Sequence, residues 1–381
     1  MRAAWRVAQV RAAEEALMKQ LPAGTLMQRA AAGLARRCAQ TLPKVYGSRI
    51  LLLVGPGNNG GDALYAGALL ARRGARVEAL VLDPERIHRG GAAALHAAGG
   101  VLTRTVPARI DLVVDGILGI GGRGGLREPA ASRVAEVAGA LRGAAVIAVD
   151  VPSGVDADTG AVTGMAVRAD ITVTFGVLKP GLLVGAGAVH SGLVELVDIG
   201  LEPHLDGDPA CYVPDIEDVA AWWPRPGASD NKYSRGVVGV ATGSEQYPGA
   251  AVLSVAGALA GPAGLVRYAG SAADAVRAQH PPVIASDRVA DAGRVQAWTC
   301  GSGLGTSVAS ASTVANAAAD ADSASSTSFC GSPSRWPDGA NGSSAGIGPP
   351  VIAAAYPIWS PAACCSTWVT VHRSQGVGSC H

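Results

Sequence analysis

The chain has 381 residues, enough for two or three domains at roughly 100–200 residues each, and 49% apolar residues allow a large core. A formal net charge of +1 and only 4% aromatic residues give no electrostatic or stacking basis for binding nucleic acid or an anionic membrane. The first residues carry Arg2, Arg6, Arg11, Glu14 and Glu15 without an apolar core, and no run nears the roughly 18 apolar residues of a membrane span. Neither a signal peptide nor a span is expected, and the cytoplasm is the expected compartment. Cys38 and Cys211 stand alone, and Cys300, Cys330, Cys364, Cys365 and Cys380 crowd the end without a C-x-x-C pair, so no zinc site is expected.

Residues 6–42 read as helix. Val10, Ala13, Leu17 and Leu21 share one face, Pro22-Ala23-Gly24 interrupts, and the pattern resumes with Leu26, Ala30, Leu34 and Cys38. Short apolar runs follow at 49–54, 76–82, 111–115, 145–150, 170–175 and 193–198, with helical stretches between several of them. Their near-continuous apolar character suits strands buried on both faces, which predicts a Rossmann-like parallel α/β sheet. Asn58, Asn59, Asp115 and Asp150 collect at the carboxyl ends of these strands, the edge along which open α/β sheets bind ligands.

Residues 206–235, rich in Pro, Asp and Gly, read as a linker. A second α/β pattern follows, with a strand at 236–242, a loop at 243–249 and a helix over 250–270 broken near Gly261-Pro262. Further strands are expected in "PPVIASD" (281–287) and "RVQAWTC" (294–300), before Gly301-Ser302-Gly303-Leu304-Gly305. From 306 the character changes. Residues 306–381 hold no Lys, no Glu and only Asp320, Asp322 and Asp338 among the acids, and neither the helical nor the strand periodicity persists. Two readings stay open: a disordered tail, or sequence read out of frame from just past Gly305.

The stretch "GPGNNGGD" (55–62) joins a predicted strand to a predicted helix. Its Gly55-x-Gly57-x-x-Gly60 spacing matches a dinucleotide-binding loop, with Asp83 as a ribose partner. Against that reading, Asp62 is expected in the first turn, where it would take the free N–H groups and positive dipole end that a pyrophosphate needs. Asn58 and Asn59 add bulk at the same place. The loop is therefore expected to offer amide oxygens and N–H groups to a neutral polar ligand or a small cation.

"VGPGNNGGD", "VVDGILGIGGRGG" (113–125), "VDVPSGVDADTG" (149–160) and "TFGVLKPGLL" (174–183), in this order, resemble the NAD(P)H-hydrate epimerase domain, the N-terminal half of the bifunctional NAD(P)H-hydrate repair enzymes. "GSEQYPGAAVLSVAGALAGPAGLV" (243–266) and "GSGLG" (301–305) resemble the start of the attached ADP-dependent dehydratase domain, which is ribokinase-like. The resemblance implies an epimerase domain over 1–205, a linker over 206–235, a partial dehydratase domain over 236–305 and the altered tail over 306–381. It implies that Asn58, Asn59, Gly60, Gly61 and Asp62 contact the hydrated nucleotide, and that Asn59, Asp115 and Ser153 surround a potassium ion. Gly119, Ile120, Gly121, Gly122, Arg123, Gly124 and Gly125 are implied along the substrate phosphates, where glycines let backbone N–H groups converge on an anion. Asp150 matches the substrate-contacting, catalytic aspartate, and Lys179 is the candidate second proton carrier; Asp156 and Asp158 read as turn-formers. Ala250 and Gly303 match positions lining the dehydratase pocket, which works with ADP.

The implied substrates are NADHX and NADPHX, hydrated at C6 of the reduced ring, with a homo-oligomer left open. After residue 305 the chain shows neither the Gly-x-Gly-Asp nor the His-Pro-Gly-Glu motif of that dehydratase, so its activity is expected to be impaired. A non-catalytic interaction module and an NAD(P)-dependent oxidoreductase stand as the alternatives.

Overall fold

The computed structural model describes residues 1–223, 225–305, 312–313, 315–317 and 369–372. They divide into two compact units, one ending at Asp215 and one beginning at Ile216. The tail readings for 306–381 fall, apart from those short pieces, outside the described residues.

The first unit runs β1 (Arg2–Ala4), α1 (Val7–Met18), α2 (Thr25–Thr41), β2 (Arg49–Val54), α3 (Asn58–Arg72), β3 (Arg76–Val81), α4 (Arg89–Ala97), β4 (Val101–Thr103) and β5 (Leu112–Gly116). It continues with α5 (Ala130–Ala140), β6 (Ala145–Val149), β7 (Ile171–Phe175), α6 (Gly185–Ser191), β8 (Leu193–Val197) and β9 (Cys211–Val213). Seven strands form one sheet in the order β4-β3-β2-β5-β6-β7-β8, and every pair is parallel. Strand alternation sets the two faces. Ile50, Leu52 and Val54 of β2 pack with Ala30 and Leu34 of α2 and Leu64 of α3, while Leu51 and Leu53 pack with Val134 and Val137 of α5. Each such buried leucine contributes about 1.5–3 kcal/mol.

The strand order reverses between β2 and β5, so the segments leaving their carboxyl ends diverge and open a crevice there. The predicted break at 22–24 separates α1 from α2, and Gly24 takes φ +81° at the start of α2. Two elements lie inside the stretch read as linker, β9 and α7 (Ile216–Trp222). β9 pairs antiparallel with β1, joining Ala4 to Cys211 and Arg2 to Val213.

The second unit holds α7 (Ile216–Trp222), β10 (Val237–Ala241), α8 (Pro248–Ala260), β11 (Leu265–Ala269), α9 (Ala273–Gln279), β12 (Ile284–Ser286), β13 (Ala297–Cys300) and β14 (Val369–His372). Its sheet order is β12-β11-β10-β13-β14, with only β14 antiparallel. The helix expected over 250–270 is corrected: it stops at Ala260, and Leu265–Ala269 is a strand beside β10. Gly261-Pro262 ends the helix instead of bending it, because proline has no N–H to continue the ladder. Among the described residues no helix is long and apolar enough to cross a membrane.

Candidate functional site

A cleft of about 870 Å³ opens at the β2/β5 reversal. Asn58, Asn59 and Asp62 reach it from α3, Gly119–Gly122 from the loop after β5, Asp150 from the end of β6, and Arg11 and Glu14 from α1. The helix starts at Asn58, so Asn58 and Asn59 occupy its first turn and Asp62 its second. That corrects the expectation for Asp62. Its carboxylate does not take the helix N–H groups; Oδ1 is buried without a hydrogen-bond partner, as is Asn59 Nδ2. Burial, then Asp150, then Glu14 hold the Asp62 carboxyl well above the ordinary carboxylate range. Gly60 and Gly61 are buried in the same turn and do not line the cleft.

Asp150 is the one non-glycine among the described residues with a positive φ, +66°. Such a conformation costs on the order of 1–3 kcal/mol and persists where surrounding contacts enforce it. Here they do. The Asp150 N–H donates to the Val173 carbonyl at 2.7 Å, Thr174 Oγ1 donates to Oδ1 at 3.1 Å, and Lys179 Nζ donates to Oδ1 at 2.6 Å. Lys179 is 1% exposed, and its Nζ also donates to Thr174 Oγ1 and the Phe175 carbonyl, each at 2.9 Å. Those bonds saturate the three N–H donors of the ammonium group. Lys179 therefore fixes Asp150 in place, whereas the sequence suggested a second proton carrier. Asp150 Oδ2 faces the other way, accepting a long bond from Ile120 N–H at 3.3 Å.

The glycine run divides. Gly119–Gly122 line the cleft, and a side chain at Gly119 would begin 2.8 Å from Asn59 Oδ1 and 3.2 Å from Asp150 Oδ2. Glycine is what lets these two polar ends converge. Arg123, Gly124 and Gly125 lie outside the cleft lining. Gly125 packs on the backbone of Gly164, and Arg123 is exposed. Partial burial raises the Asp156 carboxyl, but hydrogen bonds from Thr159 and Asp158, with a smaller contribution from the Arg123 charge, outweigh it and hold that carboxyl low. Asp156 itself accepts from the N–H groups of Asp158 and Thr159, as a turn-former does.

Asp115 and Ser153 sit just beneath the cleft, fully buried and bonded to each other. Ser153 N–H donates to Asp115 Oδ2 at 2.8 Å, and Ser153 Oγ donates to Oδ1 at 2.7 Å. Burial pushes the Asp115 carboxyl up to about 6, against the opposing pull of these bonds and of Ile117 N–H. No basic side chain among the described residues forms an ion pair with it.

Arg11 and Glu14 were not singled out from the sequence. They stand one turn apart on α1, beside the buried stripe Val10, Ala13 and Leu17, and both line the cleft. An Arg and a Glu flanking an apolar stripe were the available signal, a weak one on an amphipathic helix. Arg86, His88 and Tyr65 also line the cleft, with His88 capping α4 through a bond from Gly91 N–H.

In the second unit a shallower hollow of about 640 Å³ is lined by Gln246, Tyr247, Pro248, Gly249, Ala250, Leu253, Ser254 and Ser302. Ala250 and Gly303 do come together: a side chain at Gly303 would begin 2.7 Å from Ala250 Cβ and 3.0 Å from Gly243 Cα. Gly243 N–H donates to the Ser302 carbonyl at 2.7 Å, closing the ends of β10 and β13 on each other.

Comparison with known proteins bears on both units. A family model described as the YjeF-related protein N-terminus matches residues 23–181, and one described as NAD(P)H-hydrate dehydratase matches residues 238–324. The second match runs past Gly305, beyond the point where the sequence resemblance stopped. The chain is 50% identical over 322 residues to a bifunctional NAD(P)H-hydrate repair enzyme of Mycobacterium tuberculosis, covering 82% of this chain and 65% of that protein. The corresponding enzyme of Mycobacterium leprae is 48% identical over 320 residues, covering 80% and 63%. The chain thus spans somewhat less than two thirds of the length of these bifunctional relatives. An NAD(P)H-hydrate epimerase of Clavibacter michiganensis subsp. michiganensis is 47% identical over 216 residues, which is 52% of this chain and 90% of that protein. With nine tenths of an epimerase matched at that identity, this chain belongs to the NAD(P)H-hydrate epimerase family.

Proposed function

We propose that the first unit binds NADHX and NADPHX and interconverts their R and S forms at C6. The observation that carries this is Asp150. Its left-handed backbone, its bond to the buried Lys179 and its Oδ2 edge, held only by the long Ile120 N–H bond, present a fixed carboxylate to a cleft lined by carboxamides and glycine N–H groups. The ring carbon to be inverted bears a hydroxyl and is bonded to the ring nitrogen. Inversion needs either loss and return of that hydroxyl or opening and closing of the ring, and a carboxylate serves both by taking a proton or by balancing a cationic ring. Arg11, whose guanidinium comes within 3.5 Å of the position a Gly121 side chain would take, adds positive charge beside Gly119–Gly122 for the substrate phosphates. The test is to incubate R-NADHX with the purified chain and separate the epimers over time. Asp150→Asn epimerising as fast as the unaltered chain would sink the reading.

A potassium ion belongs to the same reading, held by Asn59, Asp115 and Ser153. Carboxylate, hydroxyl and amide oxygen are hard donors suited to such a cation. The observation that fits it is a fully buried Asp115 carboxylate with no ion-pair partner among the described residues, a charge that costs several kcal/mol when left uncompensated. When bound, the ion would balance that charge beside the substrate. Thermal unfolding in potassium against lithium salts is the measurement, with the potassium benefit absent in Asp115→Asn.

For the second unit we infer recognition of the nucleotide without turnover. Among the described residues its hollow presents no carboxylate and no cation. Incubation of S-NADHX with ADP and the chain is expected to produce no NADH, and NADH formation under those conditions would overturn this part.

A further inference from the structure

We propose that Glu14 is the proton donor that works opposite Asp150 when the substrate ring opens and closes, an inference that rests on the epimerase reading above. In ring opening a base takes the hydroxyl proton at C6, the electron pair this leaves on the oxygen forms the second bond of the carbonyl, the C6–N1 bond breaks with its pair going to N1, and N1 takes a proton from an acid. Rotation about C5–C6 turns the other face of the aldehyde to the nitrogen. Reversal of both proton transfers then closes the ring with the opposite configuration. No atom or electron is gained or lost, and the enzyme must supply one ionised and one protonated group.

The cleft offers both. Asp150 has a buried cation and a hydroxyl donor on Oδ1, which suits it to be the acceptor. Lys179 is excluded as donor because its N–H bonds are already committed. Glu14 reaches the cleft from a different element, α1, and takes part in no hydrogen bond or ion pair among the described residues. Arg11, one turn earlier, lies by Gly121 and forms no ion pair with it. The charged groups facing Glu14 are Arg11 on its own helix, Asp62 on α3, Asp150 beyond β6 and Lys179 beyond β7. Burial and Asp150 raise the Glu14 carboxyl, and Lys179 and Arg11 partly offset them. A carboxyl raised by burial, across the cleft from a carboxylate paired with a buried ammonium, matches the usual division between acid and base. Asp62 is raised well above the ordinary carboxylate range by burial, Asp150 and Glu14, and its Oδ1 is sealed from solvent without a hydrogen-bond partner, which leaves Glu14 the better placed of the two to exchange a proton with the substrate.

The experiment measures epimerisation of R-NADHX against pH for the full chain, Glu14→Gln and Glu14→Asp. Glu14→Gln is expected to lower kcat by about 100-fold, the usual scale for a lost proton carrier, and to abolish the fall in rate on the alkaline side. KM should stay within roughly twofold, since the lost interaction belongs to the transition state. Glu14→Asp should keep part of the rate, with its alkaline limb displaced. Glu14→Gln at the unaltered kcat with the same alkaline limb overturns the proposal, as does an undisplaced limb in Glu14→Asp. An unaltered chain that does not epimerise removes the epimerase reading itself, whereas an active chain indifferent to Glu14 removes only this role.

Discussion

The two units solve the same topological problem with different residues. Each has a parallel sheet whose order reverses, between β2 and β5 in the first and between β10 and β13 in the second, and each closes the reversal with glycine-rich turns. At the first reversal the crevice receives Asn59, Asp62, Asp150 and Glu14, with Asp115 and Ser153 beneath. At the second it receives Ala250 and Ser302 beside Gly303, with no carboxylate or cation among the described residues. Shared geometry therefore carries carboxylates and a buried cation at the first reversal, and none among the described residues at the second. Chemistry resides in the side chains grafted on the reversal, not in the reversal.

The strongest test of that contrast is Asp150→Asn, expected to lower the epimerisation kcat by about 10²–10⁴-fold while leaving nucleotide binding by the second unit untouched. Isothermal titration with ADP alongside the rate assay reads both. Next comes Lys179→Met, which strands a buried carboxylate; loss of one partner of such a pair costs about 3–5 kcal/mol, read as a lowered urea midpoint. Asp150→Asn combined with Lys179→Met should recover part of that stability, because no lone charge remains. Gly119→Ala is smaller. Its methyl would press on Asn59 Oδ1 and Asp150 Oδ2, and kcat/KM should drop by roughly tenfold, about 1.4 kcal/mol, with Tm little changed. The mirror substitution, Gly303→Ala at φ +74°, should leave epimerisation unchanged while weakening ADP binding and lowering the stability of the second unit, where its methyl would press on Ala250 and the Gly243 backbone.

The smallest effect concerns pH. Asp62 has a raised carboxyl in the folded state, so the folded chain holds this proton more tightly than the unfolded chain does. Its stabilising contribution is present below the ordinary carboxylate range and is lost as pH rises through the folded value. Asp62→Asn removes that loss. The variant should gain Tm over the unaltered chain at pH 8, by a margin that disappears toward pH 4, while epimerising more slowly. A Tm gain that is the same at both values would show that Asp62 is not a buried acid.

Sequence reading found the sheet of the first unit because strands buried on both faces read as unbroken apolar runs, such as residues 49–54 and 145–150. It placed Asn59 and Asp150 at the strand ends, where the cleft lies, because polar residues there break that pattern. Glu14 escaped since a glutamate on an amphipathic helix looks like solvent-facing charge until the helix is docked. Residues 124–125 misled for the opposite reason: composition alone does not tell a glycine that approaches a ligand from one that packs on Gly164. Lys179 was located but its duty was not, because saturation of its N–H groups depends on Thr174 and Phe175, which only folding brings near. Leu265–Ala269 was read as helix through its continuity with α8, and the proline was given too little weight.

The pairing of β1 with β9 has a practical consequence for anyone cutting this gene. The chain's exit from the first unit is zipped onto its beginning, and α1 is anchored from the same side, by Val7 N–H to Asp158 and by Gln9 Nε2 to the carbonyls of Asp206 and Asp208. A fragment trimmed at residue 205 would discard both the zip and two of those tethers, loosening the helix that aims Arg11 and Glu14. An expression boundary at Asp215 keeps that latch.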